Sequence, residues 1–146
     1  MGFSVSGSAA IIFASLFIAF GMWYTATANS FERVTEAEAA GMDSALTDKN
    51  TRINITGAAY NASADELTVT VNNTGAAQLS LAETDLLVDG RLVESWSSSA
   101  TVEGFGDTDL WMAGEELEIT LSRTSQPGRV KLVTGTGVAD TAEVTA

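Results

Sequence analysis

The first 31 residues of this chain carry no charge, and all of its Asp, Glu, Lys and Arg side chains lie beyond them. Within that stretch, residues 9–28 read AAIIFASLFIAFGMWYTATA. At a rise of about 1.5 Å per residue, twenty such residues make about 30 Å of helix, the hydrocarbon thickness of a bilayer. A chain of 146 residues has too small a core to swallow so long an uncharged segment. A secretory signal wants a basic leader and an apolar core of about 7–15 residues. The residues before this core, MGFSVSGS, contain neither Lys nor Arg, and the apolar run is longer. The segment therefore reads as a retained membrane helix over residues 1–30, with residues 9–28 in the lipid bilayer. Trp23 and Tyr24 fall near its C-terminal end, where amphipathic rings anchor at the membrane interface.

Orientation is weakly encoded. No basic residue precedes the helix, and Glu32, Arg33, Glu36 and Glu38 beyond it are mainly acidic, so nothing holds that side in the cytoplasm. Three sequons follow within a short span, Asn54-Ile-Thr, Asn61-Ala-Ser and Asn72-Asn-Thr. They make Asn54, Asn61 and Asn72 candidate N-glycosylation sites and point to an extracellular domain. The same residue types also suit strand ends and turns.

Residues 31–50, FERVTEAEAAGMDSALTDKN, place Phe31, Val34, Ala37, Gly41 or Met42, and Ala45 or Leu46 at spacings of three and four. That narrow stripe predicts a juxtamembrane helical stalk, kinked or frayed near Gly41, or else a helix lying on its own domain. After Arg52 the period falls to two. Ile53 and Ile55, then Leu67, Val69 and Val71, then Leu117, Ile119 and Leu121 alternate with polar residues, and Val130, Leu132, Val138 and Val144 supply later candidates. Asp89-Gly90 favours a two-residue type I′ hairpin. Pro127, the sole proline, falls in a turn where it interrupts no ladder. Residues 51–146 thus read as six to eight short antiparallel strands in a two-sheet β-sandwich.

Candidate chemistry is sparse. The chain has no His and no Cys, which excludes zinc sites, thiol chemistry and Ser-His-Asp triads. A pI near 4.1 opposes nucleic-acid binding. Asp65-Glu66, Asp107/Asp109 and Glu115-Glu116 are paired carboxylates beside turns, where solvated surface is their simplest role. Asp107 and Asp109 lack the run of oxygen ligands that a calcium loop needs. The expectation is no enzyme, no metal and no cofactor. Trp96 and Trp111 suit a core, yet Trp111 stands with Phe105 and Asp109 in the run from Gly104 to Gly114, a candidate partner-binding loop. The net charge of −12 is spread through stalk and domain alike, as suits a protein kept soluble in high salt.

Taken together, MGFSVSGSAAIIF opening a single membrane helix, the Ala/Glu stalk, and the segments NTRINITGAAYN, LTVTVNNTG, ETDLLVDG, TDLWMAGEELEITL and PGRVKLVTGTGVA resemble the FlaF (ArlF) family of archaellum accessory proteins of haloarchaea. The VNNTG, LLVDG and LW pieces are shared in style with the sister FlaG family. The resemblance implies an immunoglobulin-like β-sandwich outside the cell, beneath the S-layer and held by one membrane helix. It further implies binding to S-layer protein together with a FlaG-like partner, as the static part of a rotary motor. Edge strands offer strand addition to that partner or to a second copy in a homo-oligomer. Archaellins, the filament subunits, share the plan but are processed after a basic-plus-Gly site. Here Gly2 has no Lys or Arg before it. A filament subunit packing through its N-terminal helix is the alternative, and a tethered sugar-binding module is a more distant one.

Overall fold

The computed structural model describes residues 2–146 and divides into two compact units, one ending at Ser44 and the other spanning Ala45–Ala146. Helix α1 covers Gly2–Asn50 and is unbroken at Gly41. Its first unit is bare: Ile11, Phe13, Phe17, Phe20, Trp23 and Tyr24 are all exposed. The helix is long and apolar enough to cross a membrane. The Ser and Thr hydroxyls within residues 9–28 do not oppose this, because each turns back onto the carbonyl four residues earlier. Ser15 donates to Ile11 O (2.8 Å), Thr25 to Gly21 O (2.9 Å) and Thr27 to Trp23 O (2.9 Å). Such bonds satisfy a polar group where no water is available.

The second unit begins with the last helical residues and continues as ten strands. These are β1 Ile53–Asn61, β2 Glu66–Asn73, β3 Leu79–Ser80, β4 Asp85–Val88, β5 Arg91–Leu92, β6 Ala100–Val102, β7 Leu110–Trp111, β8 Glu116–Ser122, β9 Arg129–Val133 and β10 Ala139–Glu143. They form two four-stranded antiparallel sheets, ordered β1-β2-β8-β6 and β10-β9-β4-β5, with β3 and β7 as a small third pair. Leu67, Val69, Val71, Leu117 and Ile119 of the first sheet face Leu86, Val130 and Leu132 of the second in one core. Strict alternation puts these residues inside: β2 is buried at every second position, and β8 and β9 follow the same rule. The helix-then-sandwich architecture is the one expected.

One side of the sandwich is closed. The amide of Tyr60 donates to Thr145 O (2.8 Å) and that of Thr145 to Ala58 O (2.9 Å), which ties β1 to the C-terminal residues. A bulge between Ile55 and Gly57 breaks the β1–β2 register, and the Ile55 amide finds its partner in Asp140 Oδ2 (2.8 Å) on the other sheet. The opposite side ends in β5 and β6, of which β5 is a free edge and β6 is covered at Val102 by Phe105. The β4–β5 hairpin turns at Asp89 (φ 53°) and Gly90 (φ 80°), both left-handed, as the type I′ expectation required.

Two short strands depart from the sequence reading. Strand β7 falls in the run expected to be loop and β6 in a segment given no element, and ten strands replace six to eight because four of them have three residues or fewer. Runs that short show no alternation, so only their partners reveal them.

Candidate functional site

The run from Gly104 to Gly114 is a braced loop at the β6–β8 end of the first sheet. It is entered through Glu103 (φ 50°) and Gly104 (φ 83°), which fold it sharply so that Val102 and Phe105 exchange backbone hydrogen bonds of 3.0 and 2.8 Å. The Glu103 carboxylate accepts from Glu116 N (2.9 Å) and that of Glu115 from Met112 N (2.7 Å), holding both shoulders.

Its three candidate residues behave differently. Phe105 is 72 % exposed. Asp109 is exposed, but its carboxylate accepts from Ser80 Oγ (2.8 Å) and Ala82 N (2.7 Å), which stitches the loop to the β3 segment. The Ser80 hydroxyl first, and the Ala82 amide second, hold this carboxyl below its ordinary value. Trp111 takes the core role that the sequence suggested, which corrects its place among the partner-binding candidates. It is fully buried, with its indole Nε1 donating to Glu115 O (2.9 Å), so it anchors the loop from within and has no face for a partner. The exposed apolar surface here comes instead from Phe105, Leu110 and Met112.

Under the loop lies Asn73, fully buried in the sandwich. Its amide Nδ2 donates to Ala77 O (2.9 Å) and Trp111 O (3.3 Å), and its Oδ1 accepts from Gly75 N (3.1 Å). Gly114 N in turn donates to Asn73 O (2.7 Å). One side chain thus ties together the end of β2, the Gly75 turn and the loop, a role that a sequon-like Asn-Asn-Thr string does not announce.

The three sequon asparagines all lie on the β1–β2 hairpin. Asn54 on β1 is exposed and stands directly opposite half-buried Asn72 on β2, which has Glu116 of β8 on its other flank. Asn61 is exposed at the hairpin turn, where its Oδ1 accepts from Ser63 N (3.0 Å) and Ala64 N (3.3 Å). In the first unit, Trp23 and Tyr24 are exposed, and Trp23 lies 5.7 Å from Phe20 ring to ring. Among the described residues no group of three His, Cys, Asp or Glu side chains is placed to hold a metal ion.

A feature missed in the sequence lies at the other end of the sandwich. Of the five cationic side chains beyond residue 50, Arg91, Arg123, Arg129 and Lys131 gather around the β4–β5 hairpin and β9. The carboxylates are diffuse along the chain, but the cations are not. Their convergence depends on pairing residues forty positions apart, so a charge count does not expose it.

A model of archaeal-type flagellin matches residues 2–144. No curated protein matches the chain. Among solved structures, the archaellum periplasmic stator protein FlaG from Sulfolobus acidocaldarius is similar at 20 % identity, with a TM-score of 0.45, over 63 % of this chain and 97 % of that one. The periplasmic stator complex of FlaF and FlaG from the same organism gives 19 % identity and a TM-score of 0.44, over 63 % of this chain and 87 % of that one. A GH20 exo-β-N-acetylglucosaminidase from Vibrio harveyi gives 10 % identity and a TM-score of 0.29, over 66 % of this chain and 18 % of that one.

Proposed function

Because this chain belongs to the archaeal-type flagellin family, we propose that it is a membrane-anchored structural component of the archaellum motor whose sandwich, outside the cell, anchors the stator by binding S-layer protein. The observation that carries this reading is one family match spanning both a bare apolar helix and a β-sandwich. The helix supplies retention in the bilayer. The sandwich supplies a stiff body with a free edge and an exposed loop. The family is one of structural proteins, not catalysts.

In this reading residues 1–30 cross the membrane, residues 31–50 form a stalk, and residues 51–146 face the S-layer. Trp23 and Tyr24 sit at the outer interface. Phe105, flanked by Leu110 and Met112, engages a FlaG-like partner, with Asp109 setting the loop's shape. Asn54 and Asn61 are open to glycosylation. Asn72 shares its patch of sheet with Asn54, so glycans on both would compete for space. The diffuse negative charge suits brine, where salt screens the self-repulsion of −12 charges.

Pull-down of S-layer protein by the full-length chain in detergent, at high salt and with or without a FlaG-like partner, tests the reading. Capture in either condition is expected, and no capture in both removes the S-layer role. The family description favours a second reading, a filament subunit whose helices pack in a filament core. Electron microscopy of the purified chain decides between them, since helical filaments with buried N-termini would replace the stator assignment.

A further inference from the structure

We infer that the sandwich end formed by the β4–β5 hairpin and the loop between β8 and β9 is a docking groove for an extended, carboxylate-rich peptide segment. The proposal deepens the stator reading by naming the chemistry of an extracellular partner, and rests on it only for which protein carries the segment.

Within the second unit, this end is opposite the one where Asn50 meets the turn after β2. Strand β8 runs from Glu116, paired with Asn72 beside the helix terminus, to Ser122, paired with Glu66, about 20 Å away. Arg123 follows directly, and β9 returns with Arg129 and Lys131. Lys131 pairs with Leu87, and Leu87 with Leu92 of β5, so Arg129 and Lys131 lie on the outer face of the sheet, whereas Arg91 pairs with Val88 and turns to the groove side of the same hairpin. Arg91 and Arg123 line a groove of about 820 Å³ whose apolar wall is Val88, Leu92, Val93 and Pro127.

The cations are there without partners. Among the described residues, Arg91, Arg123, Arg129 and Lys131 form no ion pair, in a chain with 19 carboxylates. Arg123 Nε is buried and has no hydrogen-bond partner at all. Nothing among the described residues therefore neutralises the Arg123 guanidinium, which lines the groove and leaves its fork for an incoming carboxylate. Of the carboxylates at hand, Asp89 Oδ1 already accepts from Gly128 N (2.9 Å) and Arg129 N (3.0 Å), and Asp65 accepts from Tyr60 (3.1 Å). Glu143 sits opposite Arg129 on β10, and Glu94, like Asp89, is part of the groove's lining. None of these closes on a guanidinium.

The backbone selects a peptide over other carboxylate carriers. Strand β5 is a free edge. Val88 and Arg91 bracket the two-residue turn, and Val93 N bonds Leu86 O (2.9 Å), so ladder alternation turns the Leu92 amide and carbonyl outward. The Leu92 side chain beside them is 57 % exposed. An extended segment adding here would pair its backbone with Leu92 and present alternate side chains to the groove. Carboxylates at those positions meet planar guanidinium forks, which take them two bonds at a time. Contact pairs of this kind persist in concentrated salt, where longer-range attraction is screened.

The test is fluorescence titration of the full chain in detergent with a synthetic peptide bearing Asp at alternate positions, its Asn counterpart and an oligogalacturonate. The Asp peptide binds and the Asn peptide does not. Arg91→Gln and Arg123→Gln each weaken binding about tenfold. Leu92→Pro does the same, because it removes the outward amide at an edge position where proline is tolerated. Glu94→Gln tightens binding about threefold, a gain that misfolding cannot mimic. Equal binding of the Asn peptide, or indifference to both arginine substitutions, overturns the groove. Displacement by oligogalacturonate with no effect of Leu92→Pro overturns the peptide assignment. Failure here with S-layer capture intact leaves the stator reading standing, and peptide binding without capture does the reverse.

Discussion

Gly75 lies so close to Asn50 that a β-carbon added to it would collide with the Asn50 carbonyl and the Arg52 amide. The approach lets the turn after β2 cap the helix. Asn50 O accepts from Ala76 N (2.8 Å) and Ala77 N (3.0 Å), and Gly75 N donates to Arg52 O (2.9 Å). Helix ends leave carbonyls unpaired, and here strand-turn amides take one of them. The residues Ala45–Asn50 accordingly belong to the folded second unit. Gly75→Ala should lower unfolding stability by about 1–3 kcal/mol. Gly57→Ala, whose β-carbon would meet only Thr70 at an ordinary 3.8 Å, should cost much less. Denaturant unfolding of the two variants checks the contrast.

Trp111 and Phe105 should separate cleanly. Trp111→Ala empties a fully buried site and should cost about 3–5 kcal/mol. Phe105→Ser removes an exposed ring and should leave stability within about 0.5 kcal/mol while weakening partner capture. Denaturant midpoints and pull-down together read both effects.

Asn73→Leu should destabilise by about 2 kcal/mol or more, because it removes the side-chain donor of Ala77 O and Trp111 O beneath the loop. Denaturant unfolding of the variant checks the loss.

The pH profile has two limbs with named groups. Asp109 is held below its ordinary 3.8 by Ser80 and Ala82, so its contribution is present above that value and fades as pH falls through the lower folded one. Burial first, then the hydrogen bond and charge of Asp65, raises Tyr60 above its ordinary 10.0. That group favours the folded state below pH 10 and ceases to as pH rises through the folded value. Asp109→Asn should flatten the acid limb and Tyr60→Phe the alkaline limb of melting temperature against pH.

Salt should stabilise the sandwich. At about 0.1 M the Debye length is about 10 Å and the repulsion among diffuse carboxylates is strong, whereas molar salt screens it. Melting temperature is therefore expected to rise with salt, and a flat profile would remove the brine reading.

What the sequence by itself determined was everything written in a local period or a local dihedral demand. An uncharged apolar run declares a helix that water cannot solvate. Leu67, Val69 and Val71 declare a half-buried strand. Asp89-Gly90 declares its turn because few other pairs accept two left-handed residues in succession. Tertiary structure alone decided the rest. It made Leu110–Trp111 a strand by supplying Leu79–Ser80 beside it, and so turned Trp111 from a candidate contact into a core residue. It set Asn54 against Asn72 and drew Arg91, Arg123, Arg129 and Lys131 to one end. The physical reason is range. Periodicity is a property of neighbours along the chain, whereas a docking surface is made by closing loops between residues tens of positions apart, and that closure is settled by the packing of the whole core.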